Sequence, residues 1–218
     1  ALHSAVKGWG PPMAVSDAGT AFDPVTLEIL WSRLISIADE SAAALVRTSF
    51  STIVRESNDY ACALLDAEGN SLAESTVSIP AFIGTMPRTL KHCLKRFPPE
   101  TLQPGDAILT NDPWMATGHL HDFTLVAPVF HRGKLVAFAG NIAHTPDIGG
   151  AMWTADAREL FEEGLRVVPV KLMKAGRLNR RRSAAAGWWT CWRSRGWRTC
   201  PPWEEPSRLG RRGPCARP

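Results

Sequence analysis

With 218 residues, 44% of them hydrophobic, and a formal charge of +4, the chain has enough apolar material for a core in one or two domains. That sets aside the sparsely hydrophobic, highly charged class of disordered proteins. The charge is unevenly placed: residues 180–218 hold ten arginines against two glutamates, a net +8, which leaves residues 1–179 at −4. The apparent basicity therefore belongs to the tail, and no apolar run approaches the ~18 residues of a membrane span.

The first 22 residues lack a compact apolar stretch and read as a disordered leader, not a signal peptide. Asp23-Pro24 then opens a helix as an N-cap followed by proline at the first helical position should. Leu27, Leu30, Leu34, Ile37 and Ala38 recur on one face, predicting a helix from Pro24 to about Thr48 with Glu28, Arg33, Asp39 and Glu40 on its solvated side. Arg55 to Asp59 forms a polar connection. Tyr60–Leu65 and Ser71–Glu74 flank Asp66-Ala67-Glu68-Gly69-Asn70, a hairpin signal. Gly84–Phe97 reads as a second helix closed by Pro98-Pro99, with Lys91, Lys95 and Arg96 facing solvent. Cys62 and Cys93 sit in no CxxC or ligand-like pattern, which fits a reducing cytoplasm.

Four of the six histidines lie between Thr110 and Gly150. Phe123–Phe130 and Leu135–Ile142 are apolar runs joined by His131-Arg132-Gly133-Lys134, and so predict an antiparallel pair. A turn symmetric about Arg132-Gly133 sets Asp122 opposite Ala143 and His121 opposite His144. Gly118 supplies a turn through which His119 and Asp122 can converge. Two imidazoles with one or two carboxylates suit Mn, Fe or Zn. The competing reading makes these residues polar strand ends, with Asn111, Asp112 and Asp147 as turn formers. His131, in the distal turn, is expected to be exposed.

Residues 180–218 hold five tryptophans and three cysteines but only Leu209 among Val, Ile, Leu, Met and Phe. They show no helical or strand period, and read as a GC-rich gene translated out of frame from near Asn179. The alternative is a basic, tryptophan-interleaved grip on single-stranded nucleic acid. No repeat or recognised binding module supports it, so no nucleic-acid partner is expected.

The strings RESNDYACALLDAEGN, IPAFIGTMPRTL, NDPW, TGHLHD, AHTPDIGG and EEGLRVVPVKL occur in this order between Asp23 and Asn179. Together they resemble the hydantoinase B/oxoprolinase family. That family includes B components of ATP-dependent hydantoinases, the C-terminal half of 5-oxoprolinase, and subunits of acetone and acetophenone carboxylases. The expected fold is α+β, with helices and antiparallel hairpins forming the amino-terminal fragment of a larger domain. Residues 23–179 would be the truncated domain, and 1–22 and 180–218 its leader and unrelated tail. In the acetone carboxylase branch the resemblance implies manganese held by His119, Asp122 and His144, and the likeness of RESNDY to a family motif places Glu56 or Asp59 in the active-site cleft as catalytic carboxylates. The chain departs from the family pattern at two positions: His121 stands where relatives more often have proline, and Phe82 where many have histidine.

No GxxxxGK[ST] or GxGxxG occurs, so ATP, where it is used, must be handled by a partner; the resemblance implies a hydantoinase A-type subunit. By resemblance, that subunit would phosphorylate a lactam, hydantoin or ketone, and the B-type chain would carry metal-assisted hydrolysis of the cyclic amide. In a carboxylase, the same site would stabilise an enolate for attack on CO2. A non-catalytic family fragment and a metallohydrolase needing no ATP are the remaining readings. No membrane partner is expected.

Overall fold

The computed structural model describes residues 22–151 and 156–179. The predicted leader, apart from Phe22, and the 180–218 tail lie outside the described residues. Helix α1 spans Pro24–Thr48, with the Asp23 carboxylate accepting from the Val25 and Thr26 amides at 3.1 and 3.0 Å. Such a cap contributes about 1 kcal/mol. A short helix α2, Thr52–Ser57, follows, capped by Ser51. It takes in Arg55, Glu56 and Ser57, where the sequence predicts a polar connection.

Strands β1 (Tyr60–Asp66) and β2 (Ser71–Glu74) form the predicted hairpin. Helix α3 covers Pro80–Arg96 and so begins four residues before Gly84. Pro80 is tolerated at the first helical position, where its missing N–H would have had no partner. The stripe Phe82, Met86, Leu90 and Cys93 is already helical in spacing from Phe82 onward. Phe82 is accordingly a core residue at 8% exposure.

The sheet continues with β3 (Ala107–Thr110), β4 (Asp122–His131), β5 (Lys134–His144), β6 (Val170–Lys174) and β7 (Arg177–Leu178), with the single-turn helix α4 (Leu160–Glu163) before β6. The seven strands of the described residues join one sheet in the order β2-β1-β5-β4-β3-β6-β7, every neighbouring pair antiparallel. The expected α+β class is the one observed. One face of the sheet packs Ala61, Ala63, Leu65, Ile108, Val126, Phe138 and Ile142 against the α3 stripe. A Cβ on Gly140 would lie 2.6 Å from Met86 Sδ, so glycine there permits the close helix–sheet approach.

The other face receives the carboxyl-terminal half of α1, where Ala42, Val54, Tyr60 and Cys62 cluster with Leu45, Val46 and Ala143. The predicted inward stripe of α1 closes only from Ala38 onward. Leu27 and Leu30 are 53% and 42% exposed. Asp39 also departs from its predicted solvated role, accepting hydrogen bonds from the Thr76 amide and hydroxyl at 2.7 and 3.0 Å.

The β4–β5 register differs from the symmetric pairing predicted from sequence, in a way that matters for the site. Arg132 and Gly133 both have positive φ, 48° and 79°, as a two-residue hairpin turn requires. Next to that turn the predicted pairs Phe130↔Leu135 and His131↔Lys134 are present. The register then shifts between Val129 and Phe130, leaving Val136 as an extra residue in β5. Beyond this bulge Asp122, not His121, stands opposite His144, and Ala143 faces Phe123.

Candidate metal centre

Directly opposed residues of an antiparallel pair share a face of the sheet, so the shifted register puts the Asp122 and His144 side chains together. It is the core face, since Ile142, Gly140 and Phe138 alternate with His144 along it. On the far side of β5, Tyr60 pairs with Ala143, and the His144 amide donates to the Asp59 carbonyl at 3.2 Å. Asp59, His144 and Asp122 therefore form a row across the ends of β1, β5 and β4. His119 enters from the β3–β4 loop, after Gly118 at φ +107°.

Asp122 is 1% exposed and lies between two imidazoles. Its Oδ1 is 3.0 Å from His144 Nδ1, and its Oδ2 is 2.7 Å from His119 Nε2. Asp59 Oδ2 is 3.6 Å from the same His144 Nδ1. Burial pushes the Asp122 carboxyl up, but the bonds to His119 and His144 outweigh it and hold it at about 2. The Asp122 carboxylate raises His119 above the ordinary imidazole value, against the opposing effect of burial. Burial raises Asp59; Asp122 reinforces this, while His144 opposes it. His121 is lowered by burial and by the two neighbouring imidazoles.

His119, Asp122 and His144 each offer one donor atom, and these atoms all lie within 4.8 Å of one another. Donors bound at ~2.1 Å to one ion lie roughly 3–4 Å apart, so a small side-chain adjustment would bring all three onto a shared divalent cation. Asp122 Oδ2 is buried beside His119 Nε2 at 2.7 Å, a carboxylate oxygen that a shared ion would also satisfy. Two imidazoles and a carboxylate admit Mn, Fe or Zn. Of the two further carboxylates singled out from sequence, Asp59 borders the cluster, whereas Glu56 is exposed on α2. His131 is exposed, as expected.

The loop that carries His119 is held by residues that the sequence suggests as turn formers. Asn111 is fully buried, and its Nδ2 donates to the Leu120 and Leu165 carbonyls, both at 2.7 Å, while the Val167 amide donates to its Oδ1. Asp112, also fully buried, accepts from Arg166 Nη2 and Nε at 2.7 and 3.1 Å. These contacts fasten the loop to a segment 54 residues further on. The AHTPDIGG loop closes against the same region: a Cβ on Gly150 would sit 2.2 Å from the Glu163 carbonyl carbon. The available signal was the run of two polar residues straight after an apolar strand, which suits burial as well as a turn.

The hydantoinase B/oxoprolinase family model matches residues 23–188, and the chain belongs to that family. The match extends nine residues past Asn179, into the arginine-rich segment. A protein of Pseudomonas sp. (strain NS671), provisionally named the B component of a D-/L-hydantoinase, is 34% identical over 164 residues, covering 72% of this chain and 28% of that one. The ATP-dependent caprolactamase of Pseudomonas jessenii superposes with a TM-score of 0.65 at 30% identity, over 76% of this chain and 29% of that one. Nucleotide-free acetone carboxylase superposes with a TM-score of 0.66 at 23% identity, over 75% and 22%, a likeness of fold. The chain thus spans less than a third of the length of each of these relatives and corresponds to part of a larger domain. Among the described residues, no helix is long and apolar enough to cross a membrane.

Proposed function

We propose that this chain is a B-type component of an ATP-dependent hydantoinase or 5-oxoprolinase-like enzyme, acting in metal-assisted hydrolysis of a cyclic amide. The observation that carries the reading is the convergence of His119, Asp122 and His144 donor atoms within 4.8 Å. A divalent ion held there would supply Lewis-acid polarisation of the substrate and an activated water. His119 and His144 would hold the ion by neutral nitrogens. Asp122, ionised at any ordinary pH, would balance its charge. Asp59 would add a fourth donor or take a proton from water at the rim, since its carboxylate borders His144 while remaining partly open to solvent. Glu56, the other carboxylate the resemblance places in the cleft, is exposed on α2 and would meet the substrate from there.

Activation by ATP would come from an A-type partner, because the sequence carries no phosphate-binding loop of its own. A lactam or hydantoin is favoured over a ketone because the caprolactamase likeness comes with higher identity than the acetone carboxylase likeness. Manganese is the ion that the resemblance implies, and the cytoplasm is the compartment that fits the unpaired cysteines. The test is ATP-dependent ring opening of 5-oxoproline, hydantoin and caprolactam, with an A-type partner supplied and His144→Ala as control. Ring opening that requires partner, ATP and metal, and that His144→Ala abolishes, is the expected result. Turnover without ATP or partner would overturn the partner assignment, and turnover unaffected by His144→Ala would overturn the site.

A further inference from the structure

The ligand set leaves a third imidazole beside it. His121 is 9% exposed, and its ring lies 5.4 Å from His144 and 5.6 Å from His119, which are themselves 5.6 Å apart, all centroid to centroid. The three rings therefore form a nearly equilateral triangle. A point at the centre of such a triangle is about 3.2 Å from each centroid, which matches the distance from a metal to the centre of an imidazole bound through nitrogen at ~2.1 Å. In its present orientation the His121 ring is nearly parallel to His144, at 9°, and its nitrogens lie outside the converged set. Rotation about Cβ–Cγ turns those nitrogens while leaving the centroid in place, because that axis runs through the ring.

We infer that His121 supplies an additional protein nitrogen to the metal, making the site of this chain a three-histidine, one-aspartate centre with Asp59 at its rim. The inference rests on the proposed metal site. Its cause is local: the bulge at Val136 that brings Asp122 opposite His144 leaves His121 just before β4, its carbonyl accepting from the Thr145 amide at 2.8 Å and so holding it beside the end of β5. A third imidazole raises affinity for ions that favour nitrogen and occupies a position that would otherwise hold water.

The experiment uses the full chain and Mn2+ alone, with free ion measured from its electron paramagnetic resonance signal. Bound nitrogens are counted by electron spin-echo modulation after 15N-histidine labelling. Three coordinated imidazoles in the wild type, falling to two in His121→Phe with affinity about ten-fold or more weaker, is the expected result. His121→Phe keeps an aromatic ring in the stack, and His121→Ala is the second variant should the first fail to fold; circular dichroism establishes folding in each. Two imidazoles in the wild type, or a count and affinity unchanged in the folded variants, would overturn the inference and leave the three-residue site standing. Mn2+ binding that is absent, or indifferent to Asp122→Ala, would overturn the metal site itself.

Discussion

Asp122 and His144 face each other across β4 and β5 with Oδ1 and Nδ1 3.0 Å apart, a pairing that exists only because Val136 bulges out of the hairpin. A one-residue slip would turn one of the two side chains to the opposite face of the sheet. The geometry of the site is thus set at a bulge near the far end of β4 from Asp122.

Protons and metal compete for His119. Its pKa in the metal-free fold is raised by the neighbouring Asp122 carboxylate, so the protonated pair contributes stability that is fully present below about 6.5 and is lost as pH rises through the higher folded value. Metal binding has the opposite sign, because the ion needs the neutral ring. Urea unfolding of chelator-treated and Mn2+-loaded chain at pH 6 and pH 8.5 should show the stability gap between the two forms widening with pH. A gap independent of pH would rule out His119 as a ligand.

Asn111 satisfies two carbonyls and one amide from three separate residues. Asn111→Ala leaves these buried groups without partners and should cost about 2–4 kcal/mol in denaturant unfolding, with a looser His119 loop and weaker metal binding as a secondary effect. Asp112→Ala, which strands Arg166 at a half-exposed position, should cost less.

Far from the site, Asp106 anchors the β6–β7 turn. Its carboxylate takes Lys171 Nζ at 2.7 Å and the Ala175 and Gln103 amides at 2.9 and 3.1 Å. Burial raises this carboxyl, yet the bonds prevail and its pKa is lowered below the usual 3.8. The stability it contributes is present above that value and disappears as pH falls through the folded pKa. Asp106→Asn should lower stability at neutral pH by about 2–4 kcal/mol and flatten the acid limb of the pH–stability curve below about pH 4.

How far the sequence foretold this arrangement depends on how local the cause was. Helix α1 was legible in its cap, its proline and its stripe, all within a few residues. The convergence of His119 with Asp122 was legible through Gly118. The bulge was not, because no residue type announces Val136, and a symmetric hairpin puts His121 opposite His144 instead. Helix α2, at six residues, is too short to show a period, and the four residues of β3 lack the turn and partner strand that marked the equally short β2. Burial of Asn111 and Asp112 depends on Leu165, Arg166 and Val167, partners too distant in the chain for any spacing rule to reach.

Cys62 and Cys93 are buried, and burial pushes their thiols up to about 11 and about 12. Neither should react with iodoacetamide at pH 8 in the folded chain, and both should after denaturation, as peptide mapping will report. Labelling of Cys93 under native conditions would contradict the close packing of α3 on the sheet.

The metal centre stands on one divalent ion being shared by His119, Asp122 and His144. The decisive measurement is isothermal titration of the chelator-treated chain with Mn2+ at pH 7.5, beside His144→Ala and Asp122→Ala. One ion per wild-type chain, with affinity weakened by about 100-fold or more in either folded variant, is the expected result. Wild-type affinity retained in His144→Ala would contradict it.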